Sequence, residues 1–168
     1  ETQENHAHDE TNSRISISIH IDEGPPVVIG AVDVKVMSEL AESQRPALPD
    51  SLPVATGDVF REAAYLEAEQ RLREVFLRNG FAHVDSTRRA EIDLEERRAQ
   101  VEYSVPTGPP TVFGATAIRG TTSVESILIE REIAYRSGEI FSSEKVAATR
   151  AKLLALDLFG SVRVAPEP

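Results

Sequence analysis

The sequence predicts an α+β protein built from tandem βααββ repeats, each a small three-stranded mixed sheet covered by helices on one face. Three observations carry this reading: the chain repeats itself, its long helical stretches share one apolar register, and alternating strands flank them. Gly24-Pro25-Pro26-Val27-Val28-Ile29-Gly30-Ala31 reappears as Gly108-Pro109-Pro110-Thr111-Val112-Phe113-Gly114-Ala115, a shift of 84 residues. Gly57-Asp58-Val59-Phe60 returns as Gly138-Glu139-Ile140-Phe141, a shift of 81. Gly80-Phe81-Ala82-His83-Val84 compares with Leu158-Phe159-Gly160-Ser161-Val162, a shift of 78. Three blocks recurring in one order are the signature of stacked structural units.

The elements follow in chain order. Arg14 to Asp22 alternates strictly, with Ile15, Ile17, Ile19 and Ile21 on one side and Arg14, Ser16, Ser18 and His20 on the other, which predicts a half-buried strand. Val28 to Val36 and Thr111 to Arg119 are expected to open the two units as strands. Pro46, Pro49 and Pro53 each remove a backbone donor and fix φ, so this interval is expected to be loop with at most one short helix. Beyond Phe60, Tyr65, Ala68, Leu72 and Val75 fall at i, i+3, i+7 and i+10, one helical stripe that closes at Asn79-Gly80, a left-handed cap. Tyr65, Leu72, Val75, Phe76 and Phe81 are the expected core of this unit. Val84 to Leu94 reads as a strand, Glu95-Glu96-Arg97 as a solvated turn, and Arg98 to Val105 as the partner strand, alternating through Ala99, Val101, Tyr103 and Val105. In the second unit Thr122 and Glu125 have capping-box spacing, and Val124, Leu128 and Tyr135 mark a helical face before Gly138. Val146, Thr149, Leu153 and Leu156 then repeat the slots of the first stripe, with Ser142 and Ser143 as caps.

Composition narrows the function classes. The 168 residues are 40% hydrophobic and 27% charged, a globular balance that suits one or two small domains. A net charge of −10 argues against nucleic acid or an anionic membrane surface as main partner, since both reward basic patches. Aromatics are only 5% and Trp is absent, which leaves no platform for stacking single-stranded bases. No run approaches the roughly 18 apolar residues of a membrane helix, and the acidic N-terminus has no apolar signal core. The absence of cysteine removes disulfides, thiolate nucleophiles and thiolate metal sites together.

Candidate chemistry weighs lightly. His6, His8, Asp9 and Glu10 are ligand types, yet their spacing in an acidic head fits a polar tail better than a metal site. His20 and His83 read as polar-face residues. Glu67, Glu69 and Glu74 on the long helix, and Asp93, Glu95 and Glu96 near the turn, sit among charged neighbours, so solvated faces are expected rather than the dry pocket that paired-carboxylate catalysis requires. Gly-Pro-Pro is no phosphate cradle, because proline lacks the donor such a loop needs. The residues point to no enzyme, metal or cofactor. What they leave is backbone: a small sheet with an open edge is a template for an added strand.

The motifs Arg119-Gly120, Gly138-Glu139-Ile140-Phe141 and Leu156-Asp157-Leu158-Phe159-Gly160-Ser161-Val162-Arg163-Val164, in this order around two helices, resemble the POTRA repeats of the BamA/TamA family of outer-membrane barrel assembly proteins. The Gly-Pro-Pro pairs look closer to TamA, and the likeness covers about residues 14–164. On this resemblance residues 1–13 are an acidic head, 14–26 the last strand of a preceding repeat, 27–107 a complete repeat and 108–168 a further one that stops before its last strand. The family function it implies is to receive unfolded outer-membrane protein clients or periplasmic accessory proteins on the periplasmic side of the outer membrane, next to a barrel of the same protein lying outside this chain. The expected partner edge is Val84, Arg88, Arg89, Glu91 and Asp93, the last four as charges that discourage uncontrolled pairing. Gly24, Pro25, Pro26, Gly108, Pro109 and Pro110 are the expected joints between repeats. A passive spacer or docking scaffold is the nearest rival, and a small metal-binding or hydrolytic domain a remote one. The free strand 14–22 and a unit short of a strand are complementary, which leads to a possible strand-exchanged homodimer pairing 14–22 with residues 160–165 of a neighbour.

Overall fold

The order of elements is strand, helical turn, helix, hairpin, then two further helices. A computed structural model describes residues 17–21, 24–121 and 124–166. Strand β1 (Val28–Met37) is followed by one 3-10 turn at Glu42–Gln44, helix α1 (Glu62–Arg78), strands β2 (Thr87–Asp93) and β3 (Arg98–Pro106), and helices α2 (Ser126–Glu130) and α3 (Ser143–Ala155). The sheet runs β1-β3-β2, with β1 parallel and β2 antiparallel to the central β3. A parallel pair needs a long crossover, and residues 38–97, carrying α1 and then β2, are that crossover. This is the mixed three-stranded sheet expected from the sequence.

Period-two alternation of β3 packs one face of the sheet. Ala99, Val101, Tyr103 and Val105 are all buried, and with Ile29, Val54, Ala68, Leu72, Phe76, Phe81 and Val84 they form the core under α1. Leu72, Phe76 and Phe81 are buried as the stripe predicts, while Tyr65 and Val75 are partly buried against that core. The prolines at 46, 49 and 53 do exclude a helix: after the single 3-10 turn the chain runs as loop to α1. Helix α1 ends as read from Asn79-Gly80. Gly80 has φ of +100°, and the Phe81 N–H reaches back to the Phe76 carbonyl at 3.1 Å.

The internal repeat is visible in hydrogen bonds. In the first unit Ile29 N–H donates to Asp58 O (2.8 Å), Gly57 N–H to Ile29 O (2.8 Å) and Phe60 N–H to Val27 O (2.8 Å). In the second, Phe113 N–H donates to Glu139 O (2.8 Å), Gly138 N–H to Phe113 O (2.7 Å) and Phe141 N–H to Thr111 O (3.0 Å). Gly57 and Gly138 share positive φ, +97° and +86°, at the residue that turns the chain into this clasp. The packing behind the clasp differs: Phe113 stacks on Tyr135 with centroids 3.9 Å apart, and Thr149, buried, accepts the Ala134 N–H at 2.9 Å.

Four expectations need correction. Residues 17–21 form no strand and pair with nothing among the described residues; Arg14 to Ser16 and Asp22 lie outside the described residues. Residues 111–119 are a strand only at one bridge, Val112 to Ile140, because among the described residues no second strand stands beside them to supply a ladder. The helix before Gly138 is five residues long with Glu125 itself at the N-cap and no side-chain cap bond; Thr122 lies outside the described residues. Its buried residue is Ile129, one position on from the expected Leu128, which is exposed. Ser142 does occupy the N-cap of α3, yet its hydroxyl makes no capping bond.

Leu72 is 1% exposed at the centre of the helix–sheet contact. Leu72→Ala is expected to lower unfolding free energy by about 2–4 kcal/mol in urea titration, through lost transfer energy and the cavity left behind. A loss near zero would mean that the helix does not pack on the sheet through this face.

Candidate functional site

The sheet has two outer edges, and the chain treats them differently. The edge of β1 is occupied at both ends. At its start the Gly57–Phe60 clasp takes up the backbone of Ile29 and Val27. At its end the Arg45 guanidinium donates to the carbonyls of Val36 (3.4 Å), Ser38 (3.2 Å) and Leu40 (2.9 Å). Strand β2 pairs with β3 and, among the described residues, has no ladder on its other side.

The direction of the free backbone groups on β2 follows from hydrogen-bond parity. Asp85 N–H donates to Pro106 O (3.2 Å) and Gly108 N–H to His83 O (3.1 Å), bracketing the Val84–Thr107 bridge as a non-hydrogen-bonded pair. The register continues unbroken, with Arg88 opposite Tyr103, Ala90 opposite Val101 and Ile92 opposite Ala99. Those three residues therefore turn both N–H and C=O away from β3, toward the open edge. Their side chains share the helix-covered face with buried Tyr103, Val101 and Ala99. Thr87, Arg89, Glu91 and Asp93 lie on the uncovered face, beside Lys35 and Glu102, which pair across β1 and β3. The edge thus has an apolar side and a charged side.

The expected edge residues divide accordingly. Val84 is buried core rather than docking surface, because its bridge to Thr107 turns it under α1. Asp93 caps the hairpin turn, its Oδ1 accepting the N–H groups of Glu95 and Glu96, both at 2.9 Å. Arg89 and Glu91 stay exposed and pair with each other at 2.6 Å. Arg88 turns beneath the strand, donates to Glu69 on α1 and lies 5.7 Å above the Tyr65 ring.

Glu69 overturns the expectation of a solvated helix face. It is 9% exposed, and its second oxygen accepts the Ser86 hydroxyl at 2.9 Å. Its spacing placed it on the stripe all along: Tyr65, Glu69, Leu72 and Phe76 stand at i, i+4, i+7 and i+11. The Glu69 hydrogen bond holds Arg88 above its ordinary pKa, and burial pushes the Tyr65 and Tyr103 hydroxyls up. At neutral pH these groups keep the ordinary charges of guanidinium and phenol, so the cluster ties helix to edge strand and moves no proton. His20 and His83 are exposed, though His20 lies on no strand and so on no polar face. His6, His8, Asp9 and Glu10 lie outside the described residues. Among the described residues no group of three His, Asp or Glu side chains is placed to hold a metal ion, and no helix is long and apolar enough to cross a membrane.

The second expected joint is at residues 108–110. Gly108 packs on His83, Pro109 O accepts the Thr111 hydroxyl (3.1 Å), and Thr111 N–H donates to Gly80 O (2.7 Å). Across it Arg78 Nη1 stands 3.6 Å from a Glu144 oxygen, and a Cβ on Gly80 would come within 3.0 Å of the Ile140 Cγ2. At the other expected joint Gly24 has φ of +63°, and Gly24, Pro25 and Pro26 are exposed.

No protein-family model matches the sequence, and no curated protein does. Solved structures do match. The chain is similar to Haemophilus influenzae BamA POTRA3-5, with TM-score 0.71 at 14% identity over 84% of this chain and 55% of that one. It is also similar to BamA from Haemophilus ducreyi lacking POTRA domains 1-3, with TM-score 0.64 at 14% identity over 81% of this chain and 25% of that one. The α+β architecture is therefore that of POTRA domains, and the chain spans about half of one matched structure and a quarter of the other.

Two substitutions probe these contacts. Glu69→Ala is expected to cost about 1–2 kcal/mol in urea titration, toward the low end for a charge-assisted bond because Arg88 keeps some access to water. Gly80→Ala should cost about 1–2 kcal/mol from its left-handed backbone alone, and Ile140→Ala in the same background should recover only the steric part. A double-mutant cycle with no coupling would show that Gly80 and Ile140 do not meet in solution.

Proposed function

We propose that this chain is a POTRA region of a BamA-family outer-membrane protein assembly factor, acting on the periplasmic side and receiving extended client or accessory segments by strand addition at β2. Residues 27–107 are assigned to the complete repeat, 14–26 to the end of a preceding one and 108–168 to the start of the next. The observation that carries the reading is the asymmetry of the edges: Arg88, Ala90 and Ile92 turn their main-chain groups outward, while both ends of β1 are occupied by the clasp and by Arg45. Main-chain pairing makes little demand on partner sequence, which suits a receiver of many clients. The two-sided edge fits strands that alternate apolar and polar residues, the pattern of barrel strands.

A docking scaffold without client binding is the second reading, and the bonded joint at Gly80 and Thr111 favours it, since a spacer needs fixed angles more than open edges. Titration of an alternating barrel-strand peptide into the isotope-labelled chain separates the two. Strand addition is expected to shift the amides of residues 86–92 and to leave residues 29–36 in place. Shifts absent from β2, or spread over the joint, would reject the edge as the receiving site.

A further inference from the structure

An arginine laid along a strand edge can close it, as Arg45 does at the end of β1. Its guanidinium donates to the carbonyls of Val36, Ser38 and Leu40, and a strand added there would have to displace it. Strand β2 carries an arginine in a position to do the same. Arg88 stands at a residue whose N–H and C=O turn outward, and Ala90, two positions on, turns its own outward as well. Two residues along a strand are about 7 Å apart, a span that an arginine side chain covers. Yet the Arg88 guanidinium points back to α1, donates to a Glu69 oxygen and lies 5.7 Å from the centre of the Tyr65 ring. Glu69 is itself fixed, because its other oxygen accepts the Ser86 hydroxyl at 2.9 Å. The Glu69 side chain is 11% exposed and that of Arg88 40%, so the anchor is nearly dry while the arginine keeps a wet flank on the edge strand.

We propose that Glu69 is the positioning residue of the β2 edge: by holding Arg88 against α1 it keeps the outward main-chain groups of Arg88, Ala90 and Ile92 clear for an extended segment. The inference rests on the strand-accepting reading of that edge. Two effects work together, and in both Glu69 acts through Arg88. The first is steric. A tethered guanidinium leaves the carbonyls of Arg88 and Ala90 to the incoming strand, whereas a free one competes for them as Arg45 does on β1. The second is electrostatic. Strand addition covers the wet flank of Arg88, and covering a guanidinium already paired with a carboxylate costs less than covering an unpaired one. The same pairing bears on what the edge accepts. Beside Arg88 the partner's helix-side residue meets an aliphatic stem and a charge already matched, which favours an apolar side chain over an acidic one.

The alternating barrel-strand peptide, titrated into the isotope-labelled chain and its variants, tests this. Glu69→Ala is expected to weaken binding about tenfold, the scale of one charge-assisted bond. Glu69→Ala combined with Arg88→Ala is expected to bind as wild type does, because no arginine is left to lie over the edge. Cross-peaks between the Arg88 side chain and the Tyr65 ring are expected in the wild-type chain and lost in Glu69→Ala. A Glu69→Ala chain that binds as tightly as wild type overturns the proposal. So does a double variant that stays weak, since a loss that removing Arg88 does not rescue comes from the missing tie between α1 and β2. If Glu69→Ala fails to fold, Glu69→Gln takes its place, keeping the side-chain volume with a weaker, neutral bond; its loss of affinity must again be rescued by Arg88→Ala. Wild-type binding at β2 with no effect of Glu69 rejects the positioning role alone, whereas unshifted β2 amides in the wild-type chain reject the edge and the positioning role together.

Discussion

Three main-chain hydrogen bonds decide the geometry of each repeat: those that a glycine, an acidic residue and a phenylalanine close on the opening segment. In the first unit they tie residues 57–60 to Val27 and Ile29, and in the second they tie 138–141 to Thr111 and Phe113. Both strand pairing and helix placement depend on them. A parallel pair such as β1 and β3 leaves the chain at the wrong end of the sheet, and something must fix where the crossover returns. The clasp does so, delivering Phe60 to the edge of the core and starting α1 two residues later. Because the bonds are backbone to backbone, Asp58 and Glu139 or Val59 and Ile140 can interchange without altering it. This is why the motif survives while the packing behind it changes from Ile29 in the mixed aliphatic and aromatic core under α1 to the stacked rings of Phe113 and Tyr135.

Local pattern reports what a segment is suited to, and tertiary partners decide what it becomes. The stripe of α1, the alternation of β3 and the turn at Glu95–Arg97 were readable because each is completed by neighbours within the same unit. The isoleucine strand and residues 111–119 have equally good patterns, yet a ladder is a property of two segments, and neither has its partner among the described residues. Glu69 failed for a different reason. Its position on the stripe was plain, but its charge suggested water, and only the fold reveals that Arg88 and Ser86 arrive from β2 to satisfy it. A buried carboxylate with a guanidinium and a hydroxyl is consistent with burial; the same carboxylate alone would not be. Likewise Arg45, a loop residue among prolines, carries no signal that it spans three carbonyls at the end of β1.

These polar contacts make the two edges unequal. An exposed strand edge invites indiscriminate pairing, and proteins blunt it with charge, turns or side chains laid across it. Here the blunting is concentrated on β1, while on β2 two of the four expected guard charges are diverted, Arg88 to α1 and Asp93 to the hairpin turn. The uncovered face keeps Arg89 with Glu91 and Lys35 with Glu102, pairs that do not cross the line of main-chain groups. Charge is therefore arranged around the β2 edge rather than over it.

The joint at Gly80 has a mechanical consequence. The residue that ends α1 also gives its carbonyl to Thr111 and its bare Cα to Ile140, and three residues later His83 gives its carbonyl to Gly108. The last turn of the helix, the lead-in to β2 and the first residues of the second unit thus meet in one elbow, where a methyl group on Gly80 would press on the Ile140 side chain. One residue therefore serves three segments at once, and a change there is felt by the helix end, the lead-in to β2 and the second unit together.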